Sequence, residues 1–544
     1  MTRRVRSRVH VSLLLLSVGC APKLAAPVAP PVAATPAPPA ACTLLTVNDT
    51  YRIEPQADGT GGMARLRTLR TRTEAAYGDV LVLHAGDFLA PSLLSRTYKG
   101  AQMVEALSAL DGDPAADDPR LYVTFGNHEF DAGKKADGVA LDALIGISGF
   151  RWLGTNITWI PTDSGAPWIE DPHLLASDRV TCGGLRVGIF GLTTNRKSAD
   201  FIASFADPVA TARAQTAALR EAGVDVVVAL THQSMDEDLA LLTALGEAGP
   251  DLVVGGHEHD HQTGDVGPRR VYKADADART AWRITLRRDA SGAIVREEAL
   301  LPLDASVPED PLVKGIVDAR LAAHDLAFCA KAGAAPGCLA APVGRAKVPL
   351  IGAELEIRRF ETNLGDWIAD VARAAYPDAQ VAFLNAGGLR LNRDLAAGPV
   401  SRQDVEEIFA YPSPLVRVEI DGATLEKVLG RAVQEWSGNG HWLQVSGFAW
   451  KHDPAAGTGS HLTWAATGKP ILPTERIVAV VPAFLADPTT GQDGYTMIPA
   501  AKGPPGPDLK ALVLTALAAA PDGIAPAVEG RICNPQRPGP CLAK

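Results

Sequence analysis

Five short motifs place oxygen and imidazole donors directly after apolar runs. They are Asn48-Asp49, Gly86-Asp87, Gly126-Asn127-His128-Glu129, Thr231-His232 and Gly256-His257-Glu258-His259. Asp, Asn and His in this number suit a pair of metal ions, and a metal pair suits hydrolysis of a phosphate ester. Such an ester resists attack because its charge repels nucleophiles. Two divalent ions about 3.5–4 Å apart activate a water and hold the phosphoryl oxygens. A carboxylate must bridge them. Asp87, just past the run Asp79 to His84, is the best bridge candidate, and Asp49 is a terminal carboxylate. Asn127, His232, His257 and His259 complete the set. His257 and His259 are two apart, so on an extended segment both project to one side. Each motif alone has a blander reading: an Asp after a strand is usually a turn former or helix cap. The joint occurrence, in order and each at a strand end, favours the metal reading.

The elements that must position these groups alternate. Strands are expected at 43–47, 80–84, 121–125, 186–190, 224–230 and 251–255, with helices at 63–76, 101–110 and 208–222. That alternation predicts a layered α/β domain with its chemistry in the loops at the C-terminal strand ends. An amphipathic stretch at 310–328 reads as a linking helix, and 329–347 is Gly/Ala/Pro-rich. A second α/β unit follows. It has a helix over 362–376, a strand at 380–384 ending in Asn385-Ala386-Gly387-Gly388, and strands at 416–420 and 477–481.

At 544 residues the chain is too long for one core, and two domains with tails are expected. A net charge of −10 with no basic stripe excludes a general grip on nucleic-acid polymers. The first 19 residues read as an export signal: Arg3, Arg4, Arg6 and Arg8 precede a short apolar core over 11–18. Gly19-Cys20 suits a lipoprotein signal peptidase, whereas Ser17 does not, so Cys20 is a candidate lipid anchor with simple secretion as the alternative. Residues 20–41 are mostly Ala, Pro and Val and suit an extended tether. The remaining cysteines are 42, 182, 329, 338, 533 and 541. They allow about fifteen pairings; sequence proximity favours 329 with 338 and 533 with 541, leaving 42 with 182.

With these motifs in place, the chain resembles the bacterial periplasmic 5′-nucleotidase / UDP-sugar hydrolase family over roughly residues 43 to 500. The resemblance implies a four-layer α/β/β/α calcineurin-like metallophosphatase domain over 42–310. A linker at 311–345 would allow domain rotation. A C-terminal α/β substrate-binding domain would span 346–528 and a Cys/Pro tail 529–544. One ion would take Asp49, position 51, Asp87 and His259; the other would take Asp87, Asn127, His232 and His257. His128 resembles the family's catalytic histidine and Asp131 the carboxylate that orients it. Position 51 departs from the pattern, since the family has His where this chain has Tyr51. Either Tyr51 ligates as a phenolate and favours a harder ion such as ferric iron, or it does not ligate and water completes the site.

In the second domain Arg358 and Arg390 correspond to residues that meet the phosphate or another charged end of the substrate. Asn385 corresponds to a base contact. Tyr411 and Phe484 correspond to the aromatic pair that clamps the base, and Asp493 to a ribose-binding carboxylate. Gln492 and the extra residues Asp487 to Thr490 depart from the family's Gly-Gly-Asp-Gly-Tyr spacing, and Pro412 replaces the usual Gly. The resemblance implies an exported enzyme that hydrolyses nucleoside 5′-monophosphates with two divalent ions (Mn, Zn, Co or Fe). Alternatives are a 2′,3′-cyclic nucleotide or a UDP-sugar as substrate, the sulfur-oxidation relative that cleaves a cysteine-linked sulfate, and a non-catalytic nucleotide-binding surface lipoprotein. The sequence carries no signal of oligomeric state.

Overall fold

The apolar runs form two sheets that pack face to face. The computed structural model describes residues 41–194, 199–488 and 492–543. The first sheet has seven strands. At its centre Ala41–Val47, Gly78–His84 and Leu121–Thr124 run parallel, with Val47 opposite His84 and His84 opposite Val123. The second sheet has six strands. There Leu185–Thr193, Val226–His232 and Leu252–Gly255 run parallel, with His232 opposite Thr193 and Thr231 opposite Gly255. Strand ends are therefore level, and the motif-bearing loops leave both sheets side by side.

Between the sheets Leu44, Leu81, Leu83 and Tyr122 meet Val187, Ile189, Val228 and Val254 in one buried core. Continuous apolar runs fit strands buried on both faces. Helices Met63–Tyr77 and Ala101–Ser108 cover the outer face of the first sheet, and Pro208–Glu221 and Met235–Leu245 that of the second. The result is the expected α/β/β/α sandwich. The sequence reading missed a hairpin, Thr280–Arg288 with Ile294–Pro302, whose first strand pairs antiparallel with Ala41–Val47. Cys42 bonds to Cys182, Cys329 to Cys338 and Cys533 to Cys541, the arrangement favoured by proximity. The first spans 140 residues and ties one sheet to the other, a closure worth about 4–5 kcal/mol in the chain-entropy account.

The helix expected as a linker, Pro311–Lys331, starts at an Asp310 cap that accepts from the N–H groups of Leu312 and Val313. Its Val313 and Val317 are buried in the first domain's core. It is thus an outer helix of that domain rather than a free connection. The second unit centres on a four-stranded sheet, Leu415–Asp421, Arg476–Pro482, Val381–Asn385 and Leu443–Ser446 in that order. Helix Asn363–Ala374 packs on it, capped by Thr362. In the tail, Ile532–Cys533 pairs parallel with Trp450 and Lys451, and Glu361 accepts from the N–H groups of Glu529, Gly530 and Ile532.

Among the described residues no helix is long and apolar enough to cross a membrane. The leader, Cys20, the tether up to residue 40, Thr489 to Gly491 and the Gln492 side chain lie outside the description. Ala41 already pairs in the first strand.

Candidate metal centre and substrate cleft

The loops after the parallel strands are bent sharply and pressed together. Asp49, Asp87 and His257 adopt left-handed φ values of 52°, 58° and 84°. Each costs a non-glycine residue of order 1–3 kcal/mol and persists where surrounding contacts over-determine it. The neighbouring glycines are needed for close approach. A Cβ on Gly126 would lie 2.1 Å from Asp87 Oδ1, and one on Gly256 would lie 2.5 Å from the Ala85 carbonyl.

The bent loops bring the predicted donors together around Asp87. Its Oδ2 lies 3.1 Å from His232 Nε2 and 3.3 Å from Tyr51 Oη. Tyr51 Oη is also 3.3 Å from Asp49 Oδ1 and 3.0 Å from His259 Nε2. On the other side His257 Nδ1 lies 3.1 Å from Asn127 Oδ1, and the His232 and His257 rings are 5.3 Å apart. His257 and His259 therefore serve opposite sides of the carboxylate pair. The expectation that both project to one side fails because the strand ends at Gly255 and His257 is left-handed.

Asp49, Asp87 and His232 are buried, and each offers a ligand atom within 4.8 Å of the others. These oxygen and imidazole donors fit a divalent ion. Their acidities are shifted in different directions. Burial pushes the Asp49 carboxyl up to about 6, against the pull of His232 and His259. Burial also opposes ionisation of Asp87, but His232 and His128 outweigh it and hold that carboxyl below the usual range. Burial raises the Tyr51 phenol, and the charges of Asp87 and Asp49 raise it further. A bound cation would reverse those last influences.

His128 follows Asn127 on a single 3₁₀ turn. Its N–H donates to Asp87 Oδ1 at 2.7 Å, and its Nδ1 lies 2.8 Å from Asp131 Oδ2. The predicted catalytic pair is thus formed.

Two residues to which the sequence reading gave no role hold this centre. Glu129 accepts from the backbone N–H groups of Asp87, Phe88, Leu89 and Gly126, tying two motif loops together. Burial, with Asp87 next, pushes its carboxyl up to about 7 while those donors pull it down. An acid directly after His128 was the available signal. Lys273 is fully buried and donates to the carbonyls of Gln233 and Gly256, each beside a predicted ligand. It also pairs with Glu258 and Asp238. No local pattern announces that role.

The second domain's predicted residues face the same cleft, which has a volume of about 1770 Å³. Asp87, Asn127, His128, Asp131, His257 and His259 line one side; Arg358, Asn385, Arg390, Tyr411, Phe484 and Asp493 line the other. Asn385 donates to Asp493 at 3.0 Å. Arg390 donates to the Gly387 carbonyl, and its guanidinium lies 5.8 Å from the centre of the Tyr411 ring. The Tyr411 hydroxyl donates across the seam to Asp131 at 2.9 Å, so this ring already touches the partner of His128. Phe484 is 38% exposed. Glu354, absent from the sequence reading, places Oε2 2.6 Å from His259 Nδ1 and pairs with Arg358 at 2.5 Å.

Comparison with known proteins matches residues 43–261 to the calcineurin-like phosphoesterase family and 342–500 to the 5′-nucleotidase C-terminal domain. The chain is 26% identical over 512 residues to a snake venom 5′-nucleotidase of Naja atra, covering 84% of this chain and 91% of that protein. It is 25% identical over 515 residues to a 5′-nucleotidase of Homo sapiens, covering 84% of each. Among solved structures, a 5′-nucleotidase precursor of Thermus thermophilus superposes with a TM-score of 0.76 at 24% identity, covering 92% of this chain and 100% of that one. A sulfate thiohydrolase of Thermus thermophilus superposes at 0.69 with 19% identity, covering 91% and 97%. These two share the fold. Both domains in order, matched over 84% of the chain by relatives of similar length, make the chain a phosphoesterase hydrolase of the 5′-nucleotidase family.

Proposed function

We propose that this protein hydrolyses nucleoside 5′-monophosphates to nucleoside and phosphate, outside the cytoplasm, with two divalent ions. One observation carries the reading: the buried Asp/His centre and the arginine- and aromatic-bearing face of the second domain line one cleft. Asp49, Tyr51, Asp87 and His259 would hold one ion, and Asp87, Asn127, His232 and His257 the other; Mn, Zn, Co and Fe are the candidates. Bound there, the ions supply Lewis-acid charge and an activated water. Tyr51 Oη, with Asp49, Asp87 and His259 at 3.0–3.3 Å, supports its role as a ligand.

His128 has Nδ1 held by Asp131, and Nε2, 4.0 Å from Asp87 Oδ2, would donate to the phosphoryl group or the leaving oxygen. Arg358 and Arg390 hold the phosphate, for which a guanidinium fork is suited. Tyr411 and Phe484 stack on the base, Asn385 contacts it, and Asp493 meets the ribose. The stretch after Lys331 is where the second domain would rotate to deliver substrate. Three disulfides support export, with Cys20 as a lipid anchor or simple secretion as the alternative.

A nucleotide sugar is the second reading. The cleft of about 1770 Å³ exceeds the roughly 300–1,000 Å³ usual for small-ligand sites. The test is turnover by the chain from residue 41 onward, stripped of metal and resupplied with each ion separately, read as free phosphate from AMP, UMP with glucose 1-phosphate from UDP-glucose, and the ring-opened monophosphate from 2′,3′-cyclic AMP. AMP, UDP-glucose and 2′,3′-cyclic AMP are compared. Metal-restored release from AMP supports the proposal. Turnover of UDP-glucose in preference to AMP moves the assignment to the second reading. Binding of AMP with no turnover of AMP or UDP-glucose by any metal sinks both.

A further inference from the structure

The second domain reaches the metal centre through one carboxylate. Glu354 opens the short helix Glu354–Ile357, 95 residues from His259 in sequence. Its Oε2 meets His259 Nδ1 at 2.6 Å, and both side chains are about 10% exposed. The opposite ring nitrogen, His259 Nε2, faces Tyr51 Oη at 3.0 Å and Asp49 Oδ1 at 3.5 Å. A neutral imidazole carries one ring proton. A carboxylate at Nδ1 claims it and turns the Nε2 lone pair toward the donor cluster. His232 is fixed differently: its Nδ1 lies 2.7 Å from the Ala85 carbonyl, within the first domain.

We propose that Glu354 is a positioning residue that sets the tautomer and orientation of His259 from across the domain seam. Affinity for the ion at the Asp49–Tyr51–His259 end therefore depends on the second domain being docked. Affinity at the Asn127–His232–His257 end does not. The inference rests on the two-ion reading above and deepens it. It also ties a substrate-facing arginine to a metal ligand, because Arg358 shares the same carboxylate.

The test is calorimetric titration of metal-free full-length protein with Mn²⁺ alone, then with Zn²⁺ alone. Glu354→Leu removes the acceptor, and Glu354→Gln keeps an acceptor oxygen without the charge. Glu406→Gln is the control. It weakens the contacts of Glu406 with Arg96 and Lys510 without touching His259.

In Glu354→Leu one of two ions weakens by about 10–100-fold, the range for losing an outer-shell partner of a ligating histidine, and the other holds. Glu354→Gln gives a smaller loss at the same ion and is read alone if the leucine variant does not fold. Unchanged affinities in the folded Glu354 variants overturn the inference, as does equal weakening of both ions or the same loss in Glu406→Gln. Wild-type protein that binds fewer than two ions overturns the two-ion reading and this inference with it. Wild type with two ions and indifferent Glu354 variants overturns this inference alone.

Discussion

In the first domain the groups facing the cleft are fixed by the backbone around them. Asp49, Asp87 and His232 are at most 1% exposed, and Glu129 gathers four N–H groups from the loops that carry Asp87 and Asn127. In the second domain the facing groups are held by one another or by the first domain. Asn385 holds Asp493, Glu354 holds Arg358, Tyr411 holds Asp131, and Phe484 stands partly in solvent. The first half is organised before any substrate arrives. The second must exchange internal partners for ligand contacts. Preorganised polar groups lower a barrier without reorganising during the reaction, whereas exchangeable ones tune binding.

Substitutions should separate the halves by which kinetic constant they move. His128→Ala should lower kcat for AMP by about 10²–10⁴-fold, the usual worth of a positioned acid–base group. Metal content by elemental analysis should not change; a parallel loss of metal would show that His128 only supports the centre. Lys273→Met should remove the staple under His232 and His257 and cost about 3–5 kcal/mol, because Glu258 and Asp238 are left without their buried cation. Urea unfolding with matched m-values measures it, and a cost under about 1 kcal/mol would move the rigidity elsewhere.

Acid should act on the second domain through His452. That ring is 2% exposed, and burial lowers it to about 4 from 6.5, with Asp453 opposing. The neutral ring is favoured in the fold, so its contribution is full above pH 6.5 and lost as pH falls through about 4. The total is on the order of 3 kcal/mol. His452→Gln should flatten that part of the stability curve, and an unaltered acid limb would exclude the histidine as its source. Phe484→Ala should raise KM for AMP by the equivalent of about 1–3 kcal/mol of stacking while kcat stays within a few-fold. A fall in kcat alone would place Phe484 with the rigid half.

The contrast also explains what the sequence disclosed. Every donor of the first domain follows a local apolar run, so Asp49, Asp87, Asn127, His232 and His257 stood out as candidates together, by their joint recurrence at strand ends, where no single motif sufficed. A layered α/β domain could be read from alternating strands and helices, whereas the two-sheet sandwich was implied by the family resemblance. Contacts made across the chain could not be read. Lys273 reaches Gln233 and Gly256, and Glu354 reaches His259, with no shared pattern. The hairpin Thr280–Pro302 was hidden because its strands carry Arg283, Arg287, Glu297 and Glu298 on an edge that is only half covered. The two-apart histidines misled because periodicity holds inside a strand, and the strand had ended.

The antiparallel pairing of Ala41–Val47 with Thr280–Arg288 joins segments some 240 positions apart, with Leu44 opposite Ile284. Asp49 leaves the first of these strands, and its neighbour Asn48 bonds both the N–H and the carbonyl of Ala274 just ahead of the second. Non-local closures of this kind are slow, because the chain loses loop entropy before the contacts repay it. Capacity to take up ions should therefore lag behind helix content when the chain is renatured. Ions supplied at the start would wait for a pocket that is among the last parts of the molecule to take shape.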